Sequence, residues 1–167
     1  TLIWLPTGIA VAALIRWGWG IWPGIAAGAF LVNFAIGSSV PLALGTALGN
    51  TLAPMLTAHR LHGSRFDHAF SRQRDVIAFI MASSIGMLVS ATGGTVSLYL
   101  AGLVPLDGVG IAWLTWWVGD TVGLLLAGPI LLPLTLNKDA RKRSGIGQSA
   151  NINTTDRTRL SNKTKLL

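Results

Sequence analysis

The stretch VIAFIMASSIGMLVSATGGTVSLYLAGL, Val76–Leu103, decides the fold of this chain. It runs its whole length without a charged residue. A helix that crosses a bilayer needs about 20 mostly apolar residues, so this segment is long enough to span one. Working outward, four further apolar segments flank it: Leu2–Ile15, Ile21–Ile36, Val40–Ala58 and Ile111–Leu136. Ile111–Leu136 meets the length requirement easily and Val40–Ala58 barely; the two earliest are short. Trp17-Gly18-Trp19-Gly20 supplies a tight turn between those two, and Pro23 sits where a helix start tolerates proline. The expected fold class is all-α, a polytopic transmembrane helix bundle of about five spans over residues 1–136. A basic, disordered tail is expected over Asn137–Leu167.

Composition supports the membrane assignment. Hydrophobic residues make up 51% of the chain and charged residues 11%, against about 25% charged in a soluble domain. The net charge of +7 is not spread as a nucleic-acid-binding face would be. It follows the apolar segments instead. Arg16 lies in the first gap, Arg60, Arg65, Arg72 and Arg74 in the third, and every other Lys and Arg in the tail. The second and fourth gaps carry none. Basic residues mark the cytoplasmic side of membrane proteins. The Arg60–Arg74 loop and the tail are therefore expected in the cytoplasm, and Ser38, Ser39 and Asp107 on the far side of a bacterial inner membrane. Trp17, Trp19 and Trp22 fall at one predicted interface, Trp4, Trp113, Trp116 and Trp117 at the other, as amphipathic rings do. The lipid bilayer is thus one partner, and nucleic acid is not expected.

One charge stands well inside an apolar segment. Asp120 follows the outer start of the fifth segment by about nine residues, a depth of roughly 13 Å at 1.5 Å per residue. A carboxylate facing lipid there costs about 2.5 kcal/mol or more, so it must face the bundle interior or water. Trp116 and Trp117 lie one turn outward on its face, with indole N–H groups able to donate to it; Gly123 lies one turn inward and leaves space. The same depth on other segments holds Asn50, Thr92 and Thr95, with Asn33 shallower and Pro6-Thr7 opening the first segment. Two readings stay open: a ligand- or proton-responsive site in the outer half of the membrane, or a hydrogen-bond network that fixes packing. The candidate sensing residues are Asp120, Trp116, Trp117, Asn50, Asn33 and Thr95. Gly119, Gly123 and Pro129 are candidates for packing or a hinge.

Other chemistry lacks its residues. There is no Cys, hence no thiolate site. His59, His62 and His68 share one loop without further well-spaced ligands, so a solvated loop is expected and no metal or cofactor. Ser83, Ser84, Ser90 and Ser97 have no histidine at their depth, and no enzyme activity is expected. Gly24/Gly28, Gly45/Gly49 and Gly119/Gly123, each four apart, read as faces where helices approach closely.

The segments Trp4-Leu-Pro-Thr-Gly-Ile-Ala10, Trp22-Pro-Gly-Ile-Ala-Ala-Gly-Ala-Phe-Leu-Val-Asn33, Gly49-Asn50 and Trp113-Leu-Thr-Trp-Trp-Val-Gly-Asp-Thr-Val-Gly-Leu-Leu-Leu-Ala-Gly-Pro129 together resemble the bacterial membrane-associated sensor domain of the first type. The resemblance implies an integral-membrane sensory input module, joined in that family to histidine kinases, diguanylate cyclases or cyclic-di-GMP phosphodiesterases. It also implies two-component or cyclic-di-GMP signalling and more spans than the five segments here, so a truncated domain is expected. It names no ligand. A transporter fragment and a scaffold that binds a membrane-protein partner, or a second copy of itself, are the competing functions.

Overall fold

The computed structural model describes residues 3–63 and 66–134. The expectations for the tail and for Arg65 lie outside the described residues. Five helices form the described chain: α1, Pro6–Trp17; α2, Trp22–Ala35; α3, Val40–Gly63; α4, Gln73–Leu100; and α5, residues 109–134. No strand occurs among the described residues. Each helix falls on one of the five apolar segments, because long uninterrupted apolar runs leave the backbone only internal hydrogen-bond partners. Gly18 closes α1 at φ 81°, in the left-handed region that glycine adopts without penalty, and a 3-10 turn over Trp19–Ile21 then leads directly into α2. The third helix runs past the expected end at Ala58 and carries His59, Arg60 and His62 on its last turn.

Two described helices, Gln73–Leu100 and the stretch Leu106–Leu134, are long and apolar enough to cross a membrane. With 12 and 14 residues, α1 and α2 are shorter than the ~20 required. α3 is long enough but interrupts its apolar run with Thr46, Asn50, Thr51 and Thr57. Length and composition by themselves therefore license two crossings rather than five.

The outer faces of the bundle are apolar, and its interior mixes an apolar core with buried polar side chains. Leu44, Leu48 and Leu52 of α3, Ile77, Met81 and Val96 of α4, and Ile111, Leu126 and Ile130 of α5 stand exposed on the outer faces. Thr46, Thr51, Thr57, Ser83, Ser90, Thr95, Asp120 and Thr121 are buried. Water would reward the opposite arrangement; a lipid environment rewards this one, with small and polar residues between helices.

Four helices close a ring. α3 and α4 run antiparallel and pack most extensively, α4 packs on α5, α5 on α1, and α1 back on α3. α2 lies outside the ring, against α3. The α3–α4 seam is built on small residues. A Cβ placed on Gly93 would lie 3.1 Å from Gly49 Cα, and one on Gly49 would lie 3.2 Å from the Ser90 carbonyl oxygen. The two backbones are therefore as close as glycine permits. At the basic end, the rings of Phe66, Phe70 and Phe79 cluster, and Phe79 covers Gly128 of α5.

Candidate functional site

The ring directs one polar side chain from each of its four helices to a common centre. Asp120 comes from α5, Ser90 from α4, Asn50 from α3 and Thr7 from α1. Asp120 is 2% exposed. Thr7 Oγ1 donates to its Oδ1 at 3.5 Å, and the Ser90 hydroxyl meets its Oδ2. Ser90 Oγ also lies 2.8 Å from Asn50 Oδ1. The Trp116 side chain lines the same cavity as this carboxyl group. Its indole has room because Gly94 faces it: a Cβ at Gly94 would lie 2.5 Å from the ring.

Ser90 has a single hydroxyl hydrogen and two oxygen neighbours. It can donate to Asp120 or to Asn50, and must accept from the other. If Asp120 is ionised, Ser90 donates to it and the Asn50 amide turns to offer an N–H. If Asp120 carries a proton, it donates to Ser90, and Ser90 donates onward to Asn50. Two hydrogen-bond arrangements thus fit one set of heavy atoms.

Pro54 adds a further acceptor. It lies inside α3 and has no N–H, so the carbonyl of Asn50, four residues earlier, loses its helical donor. Asn50 consequently brings both a side-chain amide and a released backbone carbonyl to this level of the bundle.

A cavity of about 390 Å³ adjoins the centre. Asp120, Asn50, Asn33 and Thr115 supply its polar lining, and Trp4, Trp116, Ile36 and Leu98 are among its apolar walls. Trp4 is anchored by its N–H, which donates to the Gly119 carbonyl at 3.2 Å, and its own backbone packs so tightly on Gly123 that a Cβ there would overlap the Trp4 carbonyl. Gly119 and Gly123 therefore seat the start of the chain against α5. A second, largely apolar cavity of about 490 Å³ lies between α1 and α2, with Thr7, Asn50, Gly24 and Gly28 in its lining.

The residues selected from sequence divide. Asp120, Asn50 and Trp116 meet as expected. Asn33 lines the cavity, but its amide donates to Ala29 of its own helix at 2.8 Å. Trp117 does not reach the carboxylate; its indole N–H donates to the Ser84 carbonyl at 2.9 Å, and its ring stacks on Trp113. Thr95 is buried with its hydroxyl unpartnered and does not join the Asp120 hydrogen bonds. Thr92 accepts from the Trp113 indole instead. Pro129 is exposed on α5, which continues helically through it. Ser90 was the residue missed. Its signal was present: Ser83, Gly86, Ser90, Gly93 and Ser97 repeat at intervals of three and four, marking the α4 face that enters the bundle. Gly24 and Gly28 depart from expectation, since a Cβ at either meets nothing within 4 Å; they line a groove rather than a helix contact.

The loop before α4 holds its own charged cluster. Asp67 accepts from the Ala69 N–H at 3.0 Å, and this bond, with help from Ser71, holds its carboxyl below the usual carboxylate range. His68 packs edge-on to Phe66 at 5.3 Å; burial, then the nearby His62, pushes its imidazole below the ordinary histidine range. No group of three or more His, Cys, Asp or Glu side chains suited to a metal occurs among the described residues.

No curated protein and no solved structure matches the chain. The family model for MASE1 matches residues 1–149; the family is a membrane-associated sensor domain found in histidine kinases and diguanylate cyclases. With nearly the whole described bundle inside that match, the chain belongs to the MASE1 family of membrane-associated sensory domains.

Proposed function

We propose that this chain is the membrane-embedded part of a bacterial sensory input module and that its stimulus is read at Asp120. The observation that carries the reading is one buried carboxyl beside a cavity, met by Thr7 and Ser90 and, through Ser90, by Asn50, each from a different helix. Ionisable groups placed inside a membrane domain mark functional sites. A ligand or proton that changes the charge at Asp120 changes its attraction for Ser90 on α4 and Thr7 on α1, and so biases how α5 packs against them, which is what a two-state input requires. The bias leaves through α5, where Pro129 is a candidate hinge, toward a cytoplasmic output of the two-component or cyclic-di-GMP type. Catalysis belongs to that output and not to this bundle.

In the proposed topology all five helices enter the inner membrane, with Arg16 and the Arg60–Arg74 loop in the cytoplasm. The short helices α1 and α2 then form a paired entry that relies on Trp17, Trp19 and Trp22 at the interface. The chain has no Cys, so single substitutions report topology cleanly. Ser39→Cys should react with a membrane-impermeant maleimide in intact spheroplasts, and His62→Cys only after lysis. Reaction of His62→Cys in intact cells would reverse the orientation.

The functional test uses a family member that carries its own cyclase or kinase domain behind the same Trp116–Asp120 motif. Asp120→Asn should fix output at one level irrespective of stimulus. Stimulus-dependent output that survives unchanged would reduce the cluster to a packing network.

A further inference from the structure

We infer that the cavity beside Asp120 receives a small organic cation, a protonated amine bearing an apolar tail. This rests on the sensory reading of the same site and names the chemistry of its ligand. Among the described residues that line the cavity, Asp120 is the only one with an ionisable side chain, and no Lys, Arg or His joins it. An anion would meet a like charge in a region of low dielectric, where repulsion is strongest; a cation meets attraction. The carboxylate still has room for it. A carboxylate offers about four acceptor sites, and the hydroxyls of Ser90 and Thr7 account for two of them.

Other features fit the same ligand. Asn50 contributes its carboxamide, whose oxygen can accept from an ammonium N–H. Trp4 and Trp116 are among its walls, and indole is the side chain best suited to cation–π attraction. Ile36 and Leu98 provide an apolar wall for a tail. The volume, about 390 Å³, lies within the range of small-molecule sites. A bare divalent metal is a poor occupant, because it requires several oxygen ligands and only one carboxylate is present. The cavity lies among residues at the Gly37 and Leu103 ends of the helices, opposite Arg16 and Arg60, so in the proposed topology it takes its ligand from outside the cell.

The test uses the full 167-residue chain in lipid nanodiscs and three probes of one shape: 2-phenylethylammonium, neutral 2-phenylethanol and anionic 3-phenylpropanoate. Equilibrium dialysis against empty nanodiscs removes bilayer partitioning. The cation should bind saturably at one site, at least about ten-fold more tightly than the alcohol, and the anion should not bind. Asp120→Asn, close to isosteric, should lower cation affinity about ten-fold or more while leaving the alcohol's unchanged. If that variant does not fold, the charge series on the native chain decides alone. Equal binding of cation and alcohol, or no saturable cation binding, overturns the inference. The two readings separate through the output assay. An unbound amine with an Asp120-dependent output removes the ligand class and keeps the sensor; saturable amine binding with an output indifferent to Asp120→Asn keeps the site and removes the sensor.

Discussion

The α3–α4 seam and the α1–α2 side of this bundle use the same residue for opposite ends. In the seam, Gly49 and Gly93 let two backbones touch, and Gly45 and Gly86 face Ser97 and Thr57 so closely that a methyl group would overlap them. On the other side, Gly24 and Gly28 border open space, and the second cavity, about 490 Å³, separates α1 from α2. One half of the molecule is closed and the other accommodates. The Asp120 centre lies between them, tied to the closed half through Ser90 and Asn50 and to the open half through Thr7. A site at such a boundary has a rigid reference and a side that can adjust.

The sharpest way to break this comparison is to enlarge glycines in both halves. Gly49→Leu or Gly93→Leu should destabilise the bundle by about 3 kcal/mol, since the added atoms meet backbone that has no rotamer to change. Gly24→Leu and Gly28→Leu should fall within about 0.5 kcal/mol of the parent. Reversible unfolding in mild detergent measures both; equal costs would end the distinction. Next in size are the ties of Asp120 to each half. Ser90→Ala removes a hydrogen bond to a buried carboxyl and should cost about 1.5–3 kcal/mol. Thr7→Val removes a contact at the 3.5 Å limit of hydrogen bonding and should cost less than about 1 kcal/mol. The reverse order, in the same unfolding assay, would place the anchor of the carboxyl in the open half.

The smallest effect belongs to the loop at the basic end. His68 has its proton affinity lowered by burial, so the folded loop prefers the neutral ring. Its contribution is present above the ordinary histidine range, near pH 6.5, and is lost as pH falls through the lower folded value. Hydrogen exchange at Ala69 and Phe70 should quicken between pH 7.5 and about 5.5 once intrinsic rates are corrected, and His68→Phe should abolish that change. A loop equally protected at both pH values would show that His68 is solvated there.

Much of the fold was legible because a long apolar run has few backbone solutions. Val76–Leu103 became α4 with a displacement of three residues at each end, and Ile111–Leu136 became α5. The number of crossings was less legible. α3 has the length of a span, yet Thr46, Asn50, Thr51 and Thr57 face inward and dilute the apolar average that sequence offers as evidence. In the site, sequence gave depth but not direction. Asn50 and Thr95 both stood as candidates, and only Asn50 is bonded into the centre. Gly24/Gly28 and Gly45/Gly49 have identical spacing, and their difference arises entirely from which helix stands opposite. Ser90 was hidden by being ordinary: a serine acquires a role here only through the carboxyl it meets, and that carboxyl belongs to another helix.

The order of the four contributors along the chain has its own consequence. Thr7, Asn50 and Ser90 all precede Asp120, and Asp120 lies on the final described helix. A chain made from its N-terminus delivers the three donors and acceptors first. The costly carboxyl enters last, into a half-built bundle that already holds its partners, so it need never wait exposed to lipid. Moving the acid to α1 and a serine to α5 would leave the finished centre much the same and would burden its assembly.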